Sequence, residues 1–125
     1  MKKSFILFIS ICFISCSSNT NYTNAEDALD AVRIFKESCN NGNFGKAKFY
    51  CSNNTSTNNK LLSLESTYQK LNSSQKNVMQ KESIVIIANR ALAKDSFKVI
   101  ITNFSNSIQD TFMVVNKNNT WLINL

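Results

Sequence analysis

Histidine is absent from this 125-residue sequence, which narrows the chemistry before any element is placed. Its absence removes the usual general base near neutral pH, the commonest metal ligand and every Ser-His or Cys-His nucleophile pair. Proton transfer would fall to Glu26, Asp27, Asp30, Glu37, Glu65, Glu82, Asp95 and Asp110. Spacing gives most of these plain duties. Glu26 and Asp27 suit a helix N-terminus, Asp30 and Glu37 the polar side of a helix, and Asp95 and Asp110 the starts of strands. Asp110 and Glu82 are the candidates for turning inward, where burial raises a carboxyl pKa. No catalytic residue is assigned, and the expectation is a protein that is not an enzyme. Gly42 and Gly45 are the only glycines, too few for a phosphate-cradling loop. No metal and no cofactor are expected.

Of the four cysteines, Cys39 and Cys51 fall in the folded part and admit two readings. Two thiols in an oxidising compartment suggest a disulfide. It would join the end of one helix to the end of the next, and for so small a loop would contribute on the order of 2–3 kcal/mol. Cys39 also lies on an apolar stripe, and free Cys is often a buried hydrophobe. Phe35, Tyr50, Tyr68 and Trp121 are open in the same way. They can line an apolar cavity, or serve as core aromatics that need no ligand.

Cys12 and Cys16 belong to the N-terminus. Met1-Lys2-Lys3 is a positive opening, and residues 4–15 form an apolar run rich in Phe and Ile. A bilayer-spanning helix needs about 20 residues, so the run has the length of a signal-peptide core. It ends in Phe13-Ile14-Ser15-Cys16, which resembles the lipobox of bacterial lipoproteins: an apolar residue, a small or apolar one, a small one, then Cys. Bulky Ile11 before Cys12 makes that cysteine the poorer match, and Phe13 stands where Leu is usual. The resemblance implies a signal peptide over residues 1–15, with Cys16 alkylated by diacylglycerol and acylated at its new amino group. Residues 16–23 then form a lipidated, flexible tether to a domain spanning residues 24–125. More than one acyl chain turns marginal membrane binding into stable anchoring. Ser17 in place of Asp resembles signals for the outer membrane, so the expected location is the bacterial cell envelope.

Removal of Lys2 and Lys3 lowers the formal net charge from +6 to +4. The remaining basic residues, such as Lys46, Lys48, Lys60, Lys70 and Lys76, are scattered instead of forming a stripe beside aromatics. No nucleic-acid partner is therefore expected, whereas a weak attraction to anionic lipid headgroups fits. Hydrophobic residues make up 43% of the chain, enough for a packed core.

The elements that must position these residues fall into two halves. Thr23 and Glu26 have capping-box spacing, and Ala28, Ala31, Val32, Phe35 and Cys39 follow one helical face. Asn40-Asn41-Gly42-Asn43 ends that helix, with Gly42 the left-handed stop. Residues 44–51 read as a short second helix and residues 52–59 as a polar linker. Leu61, Leu64, Tyr68 and Leu71 mark a third helix, and residues 72–81 a polar stretch. Four β-rich runs follow at 83–89, 96–104, 108–116 and 120–125, with turn-prone Lys94-Asp95, Ser105-Asn106-Ser107 and Asn118-Asn119 between them. Phe97, Val99 and Ile101 share one face of the second run, with Ile100 and Phe104 on the other. Short connections imply an antiparallel meander, and helices before strands imply an α+β fold with the helices on one sheet face. Apolar residues on the second face suggest a homodimer through the sheet.

Asn41-Gly42-Asn43-Phe44-Gly45-Lys46-Ala47 after an amphipathic helix resembles the opening of small nuclear-transport-factor-2-like (NTF2-like) lipoprotein domains. Asn118-Asn119-Thr120-Trp121-Leu122-Ile123-Asn124-Leu125 resembles their closing strand. The likeness covers residues 25–125. It implies helices forming a cone over a curved, four-stranded antiparallel sheet, and such cones can enclose an apolar pocket. It implies no activity, because the fold carries enzymes, binding modules and assembly domains alike. The functional expectation is a membrane-anchored envelope lipoprotein that binds a protein or a small apolar ligand. The alternatives are a small enzyme using a pocket carboxylate and an inhibitor or immunity-like envelope protein.

Overall fold

The computed structural model describes residues 20–103 and 107–125. Four helices come first: α1 (Ala28–Asn40), α2 (Phe44–Phe49), α3 (Thr55–Gln69) and α4 (Ser73–Gln80). The strands β1 (Ile84–Ala93), β2 (Ser96–Asn103), β3 (Gln109–Lys117) and β4 (Thr120–Asn124) follow. They form one antiparallel sheet in the order β1-β2-β3-β4, the α+β meander that the sequence implies. The expected signal peptide over residues 1–15, Cys12, Cys16, Phe104 and the expected turn residues Ser105 and Asn106 lie outside the described residues.

α1 buries Ala28, Ala31, Val32, Phe35 and Cys39 along one stripe, as its periodicity requires. Its start differs from the Thr23–Glu26 expectation. Asp27 is the N-cap, its carboxylate accepting from the Asp30 amide at 2.7 Å, while the Asp30 carboxylate accepts from the Glu26 amide at 3.1 Å. Two acidic side chains satisfy open amides there and complement the helix dipole. Asn41 closes α1, and Gly42 turns the chain at φ +72°. A Cβ on Gly42 would sit 2.5 Å from Tyr68 Cε1, so both backbone angle and ring contact demand glycine.

Two helical boundaries depart from the hydrophobic periodicity. α3 starts at an Asn54 cap that accepts from the Thr57 amide at 2.8 Å, seven residues before Leu61. Its first buried side chain is Thr57, which carries no apolar signal. α4 occupies residues that read as a polar connection, and none of them is buried. Reciprocal 2.9 Å bonds between Asn72 and Gln75 form a capping box that holds it.

The helices cover the sheet face that carries Val99, Ile101, Phe112, Val114 and Ile123, all buried. Cross-strand register places Val99 opposite Phe112 and Val114 opposite Ile123, so one pleated surface forms the core wall. Asn118 and Asn119 both adopt positive φ, the backbone of a two-residue hairpin that Asn tolerates. β1 runs on to Ala93, with register shifts between Ile86 and Ala88 and between Ala91 and Ala93. Val85, Ile86, Ile87 and Leu92 on it are exposed. The opposite edge is covered: the Ile123 amide donates to the Tyr50 carbonyl and the Ser52 amide to the Ile123 carbonyl, each at 2.8 Å.

Candidate functional site

A cavity of about 250 Å³ lies between the helices and the β3–β4 end of the sheet. α1 contributes Phe35, Lys36, Cys39 and Asn40, α3 contributes Lys60 and Leu64, and α4 contributes Met79. Asp110, Thr111 and Phe112 of β3, with Asn124 and Leu125, complete it. Phe35 meets Phe112 edge-on at 5.7 Å between centroids, so an aromatic pair forms part of the wall. The wall is chiefly apolar, with a few polar groups set into it, the usual composition of a small-molecule pocket.

Asp110 alternates with Phe112 and Val114 along β3 and sits opposite Ile101, so it shares the helix-facing surface. Lys36 Nζ donates to Asp110 Oδ2 at 2.8 Å. Asp110 is thus the carboxylate that turns inward, while Glu82 does not line the cavity. The Lys36 ammonium holds it as an ion pair, an arrangement suited to orienting a ligand. Lys60 makes no ion pair among the described residues, leaving a positive charge at the wall for an acidic group.

The four aromatic candidates separate. Phe35 lines the cavity. Tyr50 is buried, and its hydroxyl donates to the Thr23 carbonyl at 2.7 Å. Tyr68 packs on Phe44 at 5.8 Å, with Lys76 Nζ 5.1 Å from its ring centre. Trp121 packs against Phe97 at 5.4 Å. The last three occupy core or surface packing positions outside the cavity wall.

Cys39 and Cys51 are both buried free thiols. Desolvation pushes each thiol pKa up to about 12, and proximity to Cys39 adds to the shift at Cys51. Buried neutral thiols behave as small hydrophobes. Cys39 lies in the cavity wall. No group of three or more Cys, Asp or Glu side chains among the described residues is arranged to hold a metal ion.

Sequence reasoning passed over Lys36, Asn40, Lys60, Leu64 and Met79. Lys36 and Asn40 are four residues apart beside the apolar stripe of α1, the one local sign that they share a face. Lys60 and Met79 gain their roles from helix packing alone.

A second, shallower groove of about 340 Å³ lies between α2 and α3, lined by Phe44, Gly45, Lys48, Asn58, Leu61, Leu62 and Glu65. Lys60 and Leu64 face the cavity while Leu61 and Leu62 face this groove, so α3 separates the two. No helix among the described residues is long and apolar enough to cross a membrane.

No family model and no curated protein matches the sequence. The structure is similar to an NTF-2-like protein of unknown function from Shewanella oneidensis MR-1. The TM-score is 0.53 at 12% identity, over 76% of this chain and 89% of that one. The fold is therefore NTF2-like, in agreement with the motifs at residues 41–47 and 118–125. That likeness carries architecture and no activity.

Proposed function

We propose that the protein is a lipid-anchored lipoprotein of the bacterial cell envelope whose NTF2-like domain binds a small apolar or amphiphilic molecule, without catalysing a reaction. The cavity carries the binding half of this reading: apolar Phe35, Leu64, Met79 and Phe112 surround a fixed Lys36–Asp110 pair, with Lys60 beside them. The Phe13-Ile14-Ser15-Cys16 lipobox supports the anchoring half. The resemblance of Ser17 to outer-membrane signals supports outer-membrane placement, and a homodimer through the sheet accords with exposed Val85 and Met113 on its outer face.

Extraction of the native protein from its own membranes, followed by mass spectrometry, tests both halves. The expected result is a diacylglyceryl-modified Cys16 and a co-purifying small molecule that is lost on Leu64→Arg. Cys16→Ala should release the protein from membranes; an unchanged membrane fraction rules out the anchor. An empty cavity in natively extracted protein, with no ligand mass recovered, rules out the binding role.

A second reading has one observation in its favour. Asp110 faces the cavity, as an enzyme with a pocket carboxylate requires, although its pairing with Lys36 suits orientation better than proton transfer. An inhibitor or immunity-like role would instead call for a filled cone, which the cavity argues against.

A further inference from the structure

The chain enters the folded domain over α2. The Tyr22 ring lies 5.6 Å from that of Phe49, the Thr23 carbonyl accepts from Tyr50, and a Cβ on Gly45 would stand 4.0 Å from the Tyr22 hydroxyl. The tether as read from sequence thus ends in two residues packed onto the domain, leaving six steps of chain from Cys16 to Tyr22. At roughly 3.3–3.6 Å per residue the reach is about 20 Å when fully extended. Its random-coil average is near 13 Å, using about 5–6 Å times the square root of the residue number. Acyl chains on Cys16 therefore hold the α2 face within one protein radius of the headgroups.

That face has the composition of an interface. Phe49 is 39% exposed and Leu62, across the groove, 62% exposed. Lys46 and Lys48 make no ion pair among the described residues. Of the acidic residues nearby, Asp27 caps α1 and Asp30 pairs with Arg33, while Glu65 lines the same groove as Lys48 without an ion pair to it. Amphipathic aromatic rings favour the headgroup level, and each Lys beside an anionic membrane favours the bound state about five-fold.

We infer that the α2 face, with Tyr22, Lys46, Lys48 and Phe49, rests on the anionic headgroup surface of the membrane that Cys16 enters. This rests on the lipid-anchor reading and gives it an orientation. The cavity lies on the far side of α3, and contact at α2 engages none of the residues that line it.

Amine acetylation of the lipidated full-length protein, read by mass spectrometry, tests the orientation. The protein is reconstituted in vesicles of phosphatidylglycerol and phosphatidylcholine, and in phosphatidylcholine alone. With the anionic lipid, acetylation of Lys46 and Lys48 should slow at least five-fold, while Lys94 in the turn at the opposite sheet edge stays unchanged. Equal labelling of Lys46, Lys48 and Lys94 on protein that carries the Cys16 lipid mass overturns the orientation and leaves the anchor standing. Absence of the lipid mass from the same spectra removes the anchor and the orientation together.

Discussion

Lys36 and Asp110 stand 74 residues apart in the chain and 2.8 Å apart in space, joining α1 to β3 across the cavity. The lysine side chain is 18% exposed and the carboxylate 41%, so water reaches the pair and screens it. A double-mutant cycle with Lys36→Met and Asp110→Asn should give a coupling of about 0.5–1 kcal/mol in urea unfolding, typical of a partly exposed pair. A coupling near zero would show that the two charges do not act on one another.

Gly42→Ala places a Cβ where φ is +72° and against the Tyr68 ring. The expected loss is about 1–3 kcal/mol, combining left-handed backbone strain with a steric overlap. Repeating the substitution in a Tyr68→Ala background separates the two. Relief of the overlap should shrink the loss to about 1 kcal/mol, and an undiminished loss would assign the whole effect to the backbone.

Both thiols should resist modification at pH 8 in the folded state and react fully in denaturant, as a chromogenic disulfide reagent would read. Rapid native labelling of either would contradict their burial. The same burial predicts alkaline instability. The unfolded thiols ionise near pH 9 and the folded ones near 12, so the native state holds the extra protons between those limits. The stability tied to these groups is complete below pH 9 and declines as pH rises towards 12. The slope is on the order of 1.4 kcal/mol per pH unit for each thiol. Substituting Cys39→Ala and Cys51→Ala should flatten that decline.

Tyr50→Phe removes the hydroxyl that donates to the Thr23 carbonyl and should cost about 0.5–1.5 kcal/mol. The clearer signature is local. Amide hydrogen exchange over residues 22–27 should accelerate while the sheet stays protected, and a uniform change would place the effect elsewhere.

The sequence displays what repeats locally and conceals what packing creates. The α1 stripe, the Gly42 stop and the Phe97-Val99-Ile101 face were legible because burial imposes a period of 3.6 or 2 on apolar residues. α4 escaped that test because it buries nothing, although Asn72 and Gln75 carry the capping-box spacing that marks its start. Thr23 and Glu26 have a related spacing without becoming a cap, since the Asp27–Asp30 pair satisfies the first amides one turn later. The cavity was the least legible feature. Phe35 is conspicuous by its type, but Lys36 acquires its role from Asp110, and no local pattern links residues separated by most of the domain.

The two margins of the sheet are unequal. Tyr50 and Ser52 occupy the hydrogen-bonding groups on the outer side of β4 at Ile123, whereas no strand among the described residues pairs with the outer side of β1. A second molecule joining by strand addition meets an uncovered margin at β1, and a two-fold arrangement consumes that margin in both copies. Growth of that kind ends at a pair, and the Tyr50–Ser52 segment, by occupying β4 at Ile123, obstructs the second sticky end that an open filament needs.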